Sequence, residues 1–241
     1  MPRFYCPFPL QTGTEIELPD AVSRHITVLR MHPGDEITVF NGEGGEHMAI
    51  LLSIGKRGSR ALLKHFSPRE VELPYAVTIA QALPESAKMD WIIEKSVELG
   101  AAGIQPLVAQ RCVVRLSGER ITRRIQHWEA IVAAASEQCG RNRLAQVAEP
   151  SDFNTWAQRH DLHRRILLTP RASQSLAQWA AHQPQQAVAI VIGPEGGFTD
   201  AEEALAQSQG MLALSIGPRV LRTETAALAA LSALSALWER R

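Results

Sequence analysis

The last fifty residues of the chain contain two apolar runs that each lead directly into a Gly-Pro loop. Residues 187–192 (AVAIVI) precede the loop 193–198 (GPEGGF), and residues 211–216 (MLALSI) precede the loop 217–225 (GPRVLRTET). Short apolar runs bounded by Gly-Pro are typical of strands that are buried on both faces, as in a parallel sheet. Parallel sheets bind ligands at the carboxyl ends of their strands, where glycines let backbone amides approach the ligand closely. The two loops therefore predict a ligand site on an α/β fold.

The two loops differ in how strongly they indicate a ligand. GPEGGF lacks the GK[ST] of a P-loop and the GxGxxG of a dinucleotide site. It allows a purely structural interpretation, a tight turn before a helix, because residues 199–202 (TDAE) form a capping-box sequence. The second loop holds two arginines and three hydroxyl or carboxyl side chains within residues 219–225. Such polarity is costly beside an apolar sheet unless something binds it, so the second loop favours the functional interpretation.

The pattern of the chain changes near residue 70. Residues 1–70 hold short β-like runs, hairpin signals at Asn41-Gly42 and Gly44-Gly45, and one amphipathic helix, which together predict a small β-barrel. Residues 75–241 alternate strand-like and helix-like runs, the mark of an α/β domain, and residues 67–74 are the expected linker. The predicted strands are 15–18, 35–40, 47–54, 60–65, 77–83, 104–108, 166–168, 187–192 and 211–216, and the predicted helices are 21–30, 86–99 and 121–139, with further helices after the two loops.

The charge of the chain is neutral overall but unevenly distributed. Basic and acidic residues number 25 each, which argues against simple electrostatic adhesion to nucleic acid. Residues 110–165, however, hold ten arginines against six carboxylates. Two interpretations stay open for this segment: an RNA-binding face within a neutral total, or a solvated arginine surface.

Cysteine spacing and apolar run lengths bear on the compartment. Cys6, Cys112 and Cys139 share no CxxC spacing, so they indicate neither a disulfide framework nor a zinc site. The N-terminal residues lack the apolar core of a signal peptide, and the longest small-apolar run, 226–238, is too short to span a bilayer. We therefore expect a reduced, soluble, cytoplasmic protein without a metal. The run 226–238 is apolar on nearly every face and must be buried, in the domain core or against a second subunit.

Four separated blocks carry a resemblance to a known family: 193–198 (GPEGGF), 216–226 (IGPRVLRTETA), 137–141 (EQCGR) and 94–100 (EKSVELG). The N-terminal segments 3–5 (RFY), 25–30 (HITVLR) and 33–35 (PGD) resemble the same family. Over nearly its whole length the chain is similar to the bacterial small-subunit ribosomal RNA uridine-N3 methyltransferases, of the SPOUT or α/β-knot superfamily. The resemblance implies a PUA-like β-barrel followed by an α/β domain with a deep trefoil knot, although sequence rules alone would exclude a knot.

The activity that this resemblance implies is S-adenosylmethionine-dependent methylation of N3 of uridine 1498 in 16S ribosomal RNA. Two other interpretations stay open. One is ribose 2′-O or guanine methylation on the same scaffold, which the N-terminal block and the EQCGR segment disfavour. The other is a non-catalytic RNA-binding factor for ribosome assembly, which the intact loop glycines and Arg222 disfavour.

A site for S-adenosylmethionine needs backbone donors and acceptors for the adenine and apolar walls, and it needs no metal, because the leaving group already carries positive charge. Three loops that follow strands can enclose it, and in relatives they hold a bent cofactor. Leu168, Ile216 and Leu221 would line the adenine pocket, with an ordinary core position as the alternative for all three. The expected cofactor-binding residues are Leu168, Thr169, Gly193, Pro194, Glu195, Gly196, Ile216, Gly217, Leu221 and Thr223.

Catalysis at uracil N3 requires loss of the N3 proton, and the base must be extruded because N3 lies on its pairing edge. A positioned cation or amide donor would stabilise the negative charge that develops. Arg222 is the first catalytic candidate because it lies in the third cofactor loop. Glu137 and Arg141 are the second, as an i,i+4 pair at a helix end, with an ordinary surface ion pair as the alternative. No histidine is indicated as the general base.

Two partners follow from the resemblance. The first is the 16S ribosomal RNA of the small subunit, which the N-terminal domain would position through phosphate-type contacts, although lone arginines are often only solvated. The second is another copy of the chain, because relatives pair through the C-terminal helix. The expected RNA-binding residues are Arg3, Arg24, His25, Arg30, Arg111 and Arg115.

Overall fold

The computed structural model of the chain describes residues 1–55, 58–114, 118–159 and 164–239. The chain forms two compact units. The first comprises Met1–Glu72 and Ala133–Leu144, and the second comprises Leu73–Val132 and Ala145–Arg241. None of the helices in the described ranges combines the length and the apolar composition that crossing a membrane requires.

The first unit is built on a five-stranded sheet that curls into a half-barrel. Its strand order is β1-β3-β4-β5-β2, with β1 parallel to β3 and the other pairs antiparallel. The strands are β1 (Arg3–Tyr5), β2 (Glu15–Leu18), β3 (Glu36–Phe40), β4 (Glu46–Ser53) and β5 (Ser59–Ser67). The hairpin that the glycine-rich turn predicts is confirmed, since β3 and β4 pair across it. β1 is an addition to the predicted strands, because its three residues are too few to show a period.

The core of the first unit lies between this sheet and the helix α1 (Asp20–Val28). Residues of β4 alternate between buried and less buried positions over most of the strand, as period-two side-chain geometry requires. α1 contributes Val22 and Ile26, which lie four residues apart and therefore on one face of the helix. They pack in one cluster with apolar residues of the sheet, namely Phe4, Leu18, Ile37, Val39, Leu51 and Leu63.

The second unit is built on a seven-stranded sheet in which every pairing is parallel. Its order is β12-β10-β11-β6-β7-β8, and β9 also pairs with β7. The strands are β6 (Val77–Ala82), β7 (Gly103–Val108), β8 (Gln146–Val147), β9 (Ser151–Asp152), β10 (Arg164–Leu168), β11 (Val188–Ile192) and β12 (Leu212–Leu214). All five residues of β11 are buried, which confirms the prediction of a strand that is covered on both faces.

The helices of the second unit are α2 (Ser86–Glu98), α4 (Phe153–Ala157), α5 (Leu176–Ala181), α6 (Asp200–Ser208) and α7 (Thr223–Trp238), and α3 (Glu119–Cys139) begins here and ends in the first unit. α7 packs against α2, α5, β6 and β11. Its last residue, Trp238, is fully buried, with its ring centroid 4.8 Å from Tyr75 and 5.9 Å from Trp179. The structure confirms that this apolar helix is buried on one face by other parts of the same chain.

One predicted strand differs from the structure. Residues 211–216 were expected to form a strand buried on both faces, but β12 covers only Leu212–Leu214 and lies at an edge of the described sheet. Leu212 and Ala213 are half-buried, because an edge strand has a neighbour on one side only. An apolar run shows that a segment is buried somewhere, but it does not show where in the sheet the segment lies.

Candidate active site

A cavity of about 590 Å³ lies at the carboxyl ends of β10, β11 and β12. These three strands are neighbours in the sheet, so the three loops that follow them converge although they are distant in sequence. The position agrees with the rule that parallel sheets bind ligands at the carboxyl ends of their strands. The lining residues are Lys88, Leu168, Thr169, Pro170, Ile192, Gly193, Pro194, Glu195, Gly196, Gly197, Phe198, Glu203, Ile216, Arg219, Val220, Leu221, Arg222, Thr223, Glu224 and Ala226.

The loop 193–198 follows β11 and folds back tightly on itself. The Gly197 amide donates to the Pro194 carbonyl at 2.8 Å. A Cβ on Gly193 would lie 3.1 Å from both the Gly197 Cα and the Phe198 nitrogen, so a larger residue would displace this backbone. The loop ends at Phe198, which is buried and packs on Phe153 with centroids 4.5 Å apart. The loop conformation therefore depends on glycine at its first position.

The helix after this loop begins with the capping box that the sequence predicts. The Thr199 hydroxyl accepts from the Glu202 amide at 3.2 Å, and Glu202 Oε2 accepts from the Thr199 amide at 2.8 Å. The second carboxylate oxygen of Glu202 accepts from the Gln110 amide at 2.8 Å. Glu202 thus caps α6 and also fixes the loop that follows β7.

Arg111, which lies in the loop after β7, contacts the glycine-rich loop directly. Its guanidinium donates to the Gly196 carbonyl at 2.8 Å and to the Phe198 carbonyl at 3.3 Å. These two hydrogen bonds hold the backbone of the loop. The phosphate contact expected for Arg111 stays a prediction, and the structure adds a loop-supporting role that the sequence pattern did not indicate.

Lys88 joins the same loop from the first turn of α2. Its ammonium donates to Glu195 Oε1 at 2.9 Å, and the Glu85 amide donates to the same oxygen at 3.1 Å. The hydrogen bond that Lys88 donates to Glu195 raises the pKa of Lys88. Lys88 is absent from the residues expected from sequence. The signal that could have found it is its place in the first turn of the helix that follows β6, a neighbour of β11 in the sheet.

The loop after β12 brings Arg222, Thr223 and Glu224 to the cavity. Arg222 is exposed and occupies the N-cap position of α7, but its side chain makes no capping hydrogen bond. Thr223 is 6 % exposed, and its hydroxyl donates to the Gly193 carbonyl at 2.6 Å. Glu224 Oε2 is buried and has no hydrogen-bond partner within the described ranges. Glu224 itself lines the cavity, while this oxygen lies below the accessible surface.

The loop after β10 completes the cavity wall. The Thr169 amide donates to the Leu214 carbonyl at 3.0 Å, and Thr169 itself is 4 % exposed. Arg171 forms ion pairs with Asp200 at 2.6 Å and with Glu203 at 2.8 Å. The hydrogen bonds that Arg171 donates to Asp200 and Glu203 raise the pKa of Arg171. These ion pairs link the β10 loop to the start of α6 at the edge of the cavity.

Most of the cofactor residues expected from sequence meet in this one cavity. The lining includes nine of the ten, and Arg222 lies beside them. The exception is Gly217, which the described lining does not include. Leu168, Ile216 and Leu221 are half-buried and line the cavity, so the alternative of a plain core position does not describe them.

Glu137 and Arg141 lie in the first unit and do not form the expected i,i+4 pair. α3 ends at Cys139 and Gly140 has a φ of +85°, so Arg141 is no longer helical and the spacing rule does not apply to it. Instead, Arg141 is 4 % exposed and pairs with Glu72 at 2.6 Å, while Glu137 accepts from the Tyr5 amide at 2.7 Å. Burial raises the pKa of Glu137.

The expected RNA-binding residues of the first unit differ in exposure. Arg24, His25 and Arg30 are exposed, and His25 packs edge-on against Phe4 at 5.6 Å. Arg3 is bound inside the unit instead: it donates to Glu46, to Asn142 Oδ1 at 2.6 Å and to the Arg141 carbonyl at 3.3 Å. Arg115 lies outside the described residues. Among the expected RNA-binding residues of the first unit, Arg24, His25 and Arg30 are therefore the accessible ones.

The His, Cys, Asp and Glu side chains of the described ranges form no group of three that could hold a metal ion. The polar groups that line the cavity are the loop backbone and the side chains of Lys88, Thr169, Glu195, Glu203, Arg219, Arg222, Thr223 and Glu224. Their chemistry is that of hydrogen bonding and charge stabilisation.

Comparison with known proteins defines the class of protein. The model of the RNA methyltransferase domain matches residues 71–235, and the model of the RNA methyltransferase PUA domain matches residues 18–63. The fold and the site therefore define an RNA methyltransferase with an N-terminal PUA domain. The chain belongs, more closely, to the ribosomal RNA small subunit methyltransferase E family. It is 34% identical to the Bacillus subtilis member over 90% of this chain and 87% of that relative.

Solved structures agree with this assignment. The ribosomal RNA small subunit methyltransferase E from Neisseria gonorrhoeae, bound to S-adenosyl methionine, superimposes with a TM-score of 0.91 at 36% identity, covering 99% of this chain and 98% of that one. The Legionella pneumophila protein Lpg2936, in complex with the cofactor SAM, gives the same TM-score and identity over 97% and 96% of the two chains. The trefoil knot expected from the resemblance fits this family.

Proposed function

We propose that the protein transfers the methyl group of S-adenosylmethionine to N3 of one uridine in the 16S ribosomal RNA of the small subunit. The observation that supports this most is the cavity at three adjacent strand ends, in a chain that superimposes at a TM-score of 0.91 on a family member bound to S-adenosyl methionine. The family assignment points to uridine 1498 as the target. Because the substrate is ribosomal RNA, the proposal also places the protein in the cytoplasm.

The residues of the cavity fit this cofactor. Leu168, Ile216 and Leu221 supply apolar walls for an adenine ring. Gly193 and Gly196 leave backbone groups accessible where a side chain would cover them. Glu224 lines the cavity, so its carboxylate would lie near the positive charge of the sulfonium or the ammonium group, and this charge would offset the cost of the buried Oε2 without a partner.

In the mechanism we propose, the cofactor supplies an electrophilic methyl group on a sulfonium, and the chain binds, orients and stabilises the other reactant. The apolar side chains and the loop backbone exclude water from the reacting atoms. Arg222 lies exposed on the cavity wall with no capping bond to hold it, so its guanidinium is available to an extruded uracil ring. There it would stabilise the negative charge that develops as N3 loses its proton. Glu137 and Arg141 stay the second proposed catalytic candidates, although both have partners within the first unit.

A test of the reaction is mass mapping of 16S ribosomal RNA from a strain that lacks the gene. We expect a uridine that loses one methyl group at N3, and we expect the wild-type gene to restore it. The purified protein and S-adenosylmethionine should restore it in vitro on small subunits from the deletion strain. Full methylation of that uridine in the deletion strain would contradict the proposal, and a methyl group on ribose or guanine would change the reaction class.

A test of the cofactor site is calorimetry with S-adenosylmethionine in excess chelator. We expect undiminished binding, because the cavity lining offers apolar side chains, backbone, hydroxyls, carboxylates and the cationic groups of lysine and arginine, and the described ranges contain no group of three side chains that could hold a metal. Loss of affinity on chelation would show that a metal takes part in binding.

We propose that the substrate is an assembled small subunit and that Arg24, His25 and Arg30 contribute RNA contacts. The neutral charge of the chain supports this, since it lacks the excess of basic residues that binds free RNA tightly. Methyl incorporation into purified small subunits should exceed incorporation into deproteinised RNA. Equal rates on the two substrates would contradict the proposal.

We also propose a homodimer that pairs through the region of α7. Several residues of this helix, among them Leu228, Ala229, Ala233 and Leu237, are half-buried rather than buried within the chain, so they leave apolar area for a partner. Sedimentation at micromolar concentration should give about twice the mass of the 26.5 kDa chain. A monomer with full methylation activity would contradict this.

A further inference from the structure

Gln81 is a polar side chain in the middle of the parallel sheet. It lies near the carboxyl end of β6, in register with Ile192 of β11 and with Pro106 of β7, and none of its surface is exposed. Strands of this kind are usually continuous runs of apolar residues, because helices cover both faces of the sheet. A fully buried amide at this position therefore requires an explanation.

The amide of Gln81 joins two of the three loops that form the cavity. Its Nε2 donates to the Thr223 hydroxyl oxygen at 2.8 Å, to the Ala82 carbonyl at 2.8 Å and to the Gly193 carbonyl at 3.4 Å. The Thr223 hydroxyl in turn donates to the same Gly193 carbonyl at 2.6 Å. Gly193 starts the loop after β11, and Thr223 starts α7. Three segments that are far apart in sequence thus share one closed set of hydrogen bonds.

Stability alone does not account for this amide. Gln81 Oε1 is buried and lacks a hydrogen-bond partner in the part of the chain that the structure describes. A buried acceptor without a partner costs free energy, whereas an apolar side chain of the same shape would avoid that cost. The amide is therefore better explained by the geometry that it imposes on Gly193 and Thr223.

We propose that Gln81 is a positioning residue, which holds the loop 193–198 and the start of α7 at the separation that the cofactor requires. It acts through Gly193 and Thr223, both of which line the cavity, whereas Gln81 itself does not line it. The inference rests on the proposed function for its ligand, but the link between the loops is a property of the chain itself. Two independent measurements can therefore test it.

The chain contains a matched control for this test. Gln105, in the neighbouring strand β7, is also buried, and its Nε2 also donates to the carbonyl of the next residue, Pro106, at 2.9 Å. Its other acceptor is the Glu149 carbonyl at 2.9 Å, and neither residue lines the cavity. Gln81→Met and Gln105→Met make the same chemical change in the same sheet. Only Gln81→Met removes the link between the loops.

The first measurement is the affinity for S-adenosylmethionine by calorimetry, read beside a thermal melt. We expect Gln81→Met to bind about tenfold more weakly than the wild type, which equals about 1.4 kcal/mol. Gln105→Met should bind as the wild type does. Wild-type affinity in a folded Gln81→Met protein, or an equal loss in both variants, would overturn the inference.

The second measurement is hydrogen exchange without any ligand. The Gly197 amide, bonded to the Pro194 carbonyl, reports on the loop. We expect it to exchange severalfold faster in Gln81→Met and unchanged in Gln105→Met. Should the wild type bind no S-adenosylmethionine, the proposed function fails, while this exchange result still decides whether Gln81 fixes the loop. Equal exchange in both variants would refute the positioning role.

Thr223 tests the same link from its other end, including the case in which Gln81→Met does not fold. Thr223→Val removes the hydroxyl at nearly constant shape and should loosen the loop and weaken binding as Gln81→Met does. Thr223→Ser should recover most of what Thr223→Val loses. The double variant Gln81→Met/Thr223→Val should lose little more affinity than either single variant, because both break one linkage. Additive losses would show that the two residues act separately and would overturn the inference.

Discussion

Two regions of this protein concentrate charged side chains, and they use them in opposite ways. In the first unit, Glu46 accepts hydrogen bonds from Arg3 and, at 2.9 Å, from Arg69. Arg141 pairs with Glu72 in the same unit. Each of these charges has a partner of opposite sign, so the cluster stabilises the unit. It leaves no carboxylate of the cluster available for a ligand.

The cavity in the second unit also contains ion pairs, Lys88 with Glu195 and Arg171 with Glu203, but two of its groups lie outside them. Arg222 is exposed without a capping bond, and Glu224 Oε2 lies buried without a partner in the described chain. A buried acceptor such as Glu224 Oε2 reduces stability unless a partner binds it, whereas the exposed guanidinium of Arg222 is hydrated and accessible to a ligand. The comparison teaches that partnership, rather than charge itself, separates structural arginines from functional ones. It predicts that variants of the paired charges in the first unit change stability, and that variants of the groups outside ion pairs change binding or rate.

The largest effect is expected for Arg222→Ala. Removing one preorganised group that stabilises developing charge costs about 3–4 kcal/mol, or roughly 10²–10³ in rate. Single-turnover methylation at saturating cofactor should fall by that factor while the melting temperature stays unchanged, since the side chain makes no capping bond. Arg222→Lys should recover only part of the rate, because a point charge lacks the planar fork.

Arg123→Ala is the control for this experiment. Arg123 makes an exposed ion pair with Glu119 at 3.1 Å, and its loss should leave the rate unchanged. A near-normal rate with a lowered melting temperature in Arg222→Ala would remove Arg222 from the catalytic residues and break the comparison.

Glu46→Gln should mainly change stability. Hydrogen bonding to Arg69, and also to Arg3, lowers the pKa of Glu46 from 4.5 to about 2. Because the folded pKa is depressed, the stabilisation is fully present above about pH 4.5 and is lost as pH falls towards 2. Urea unfolding should show a loss of about 2–3 kcal/mol for the variant at pH 7 and little difference near pH 2. Affinity for S-adenosylmethionine should be unchanged at pH 7, and a large loss of affinity in a folded variant would contradict the structural role.

Glu224→Gln should weaken cofactor binding by about tenfold, or about 1.4 kcal/mol, with little change in the melting temperature. A comparison of S-adenosylmethionine with S-adenosylhomocysteine shows which positive charge of the cofactor the carboxylate contacts. If it meets the sulfonium, affinity for S-adenosylmethionine should fall more than affinity for S-adenosylhomocysteine, which lacks that charge. Equal losses would indicate the ammonium group. Unchanged affinity for both would show that Glu224 does not contact the cofactor.

The smallest effect is expected for Arg24→Ala in the first unit, a severalfold loss of affinity for the small subunit. Arg24 is exposed, so it is free to contact a phosphate, and its loss should reduce the salt dependence of binding by about one counterion. The control is Arg60→Ala, because Arg60 already pairs with Glu15 at 3.0 Å. An equal loss in both variants would show that any surface arginine of this unit contributes, whatever its partners.

The sequence predicted the elements and the loops of the site better than the roles of single side chains. The spacing of apolar residues, the glycines and the capping motifs identified β6, β7, β11, α2, α3 and the two loops. These elements could be predicted because they depend on residues that lie close together in the chain. The same reasoning paired Glu137 with Arg141, but the helix ends between them and Arg141 bonds with Glu72. It also missed Lys88, Glu203 and Gln81, whose importance arises from neighbours that lie more than a hundred residues away or in another loop.

The sequence by itself determined that two apolar runs lead into Gly-Pro loops, that the second loop concentrates polar side chains, and that an apolar helix follows it. These are local properties, which depend on side-chain size, on backbone freedom and on the spacing of apolar residues. Only the tertiary structure decided which charges find partners. The strand order β12-β10-β11 brings three distant loops to one edge of the sheet, and the hydrogen bonds of Thr223 and Gln81 then fix two of them together. A charge is neutralised or left available according to what folding places beside it, and spacing along the chain does not determine that.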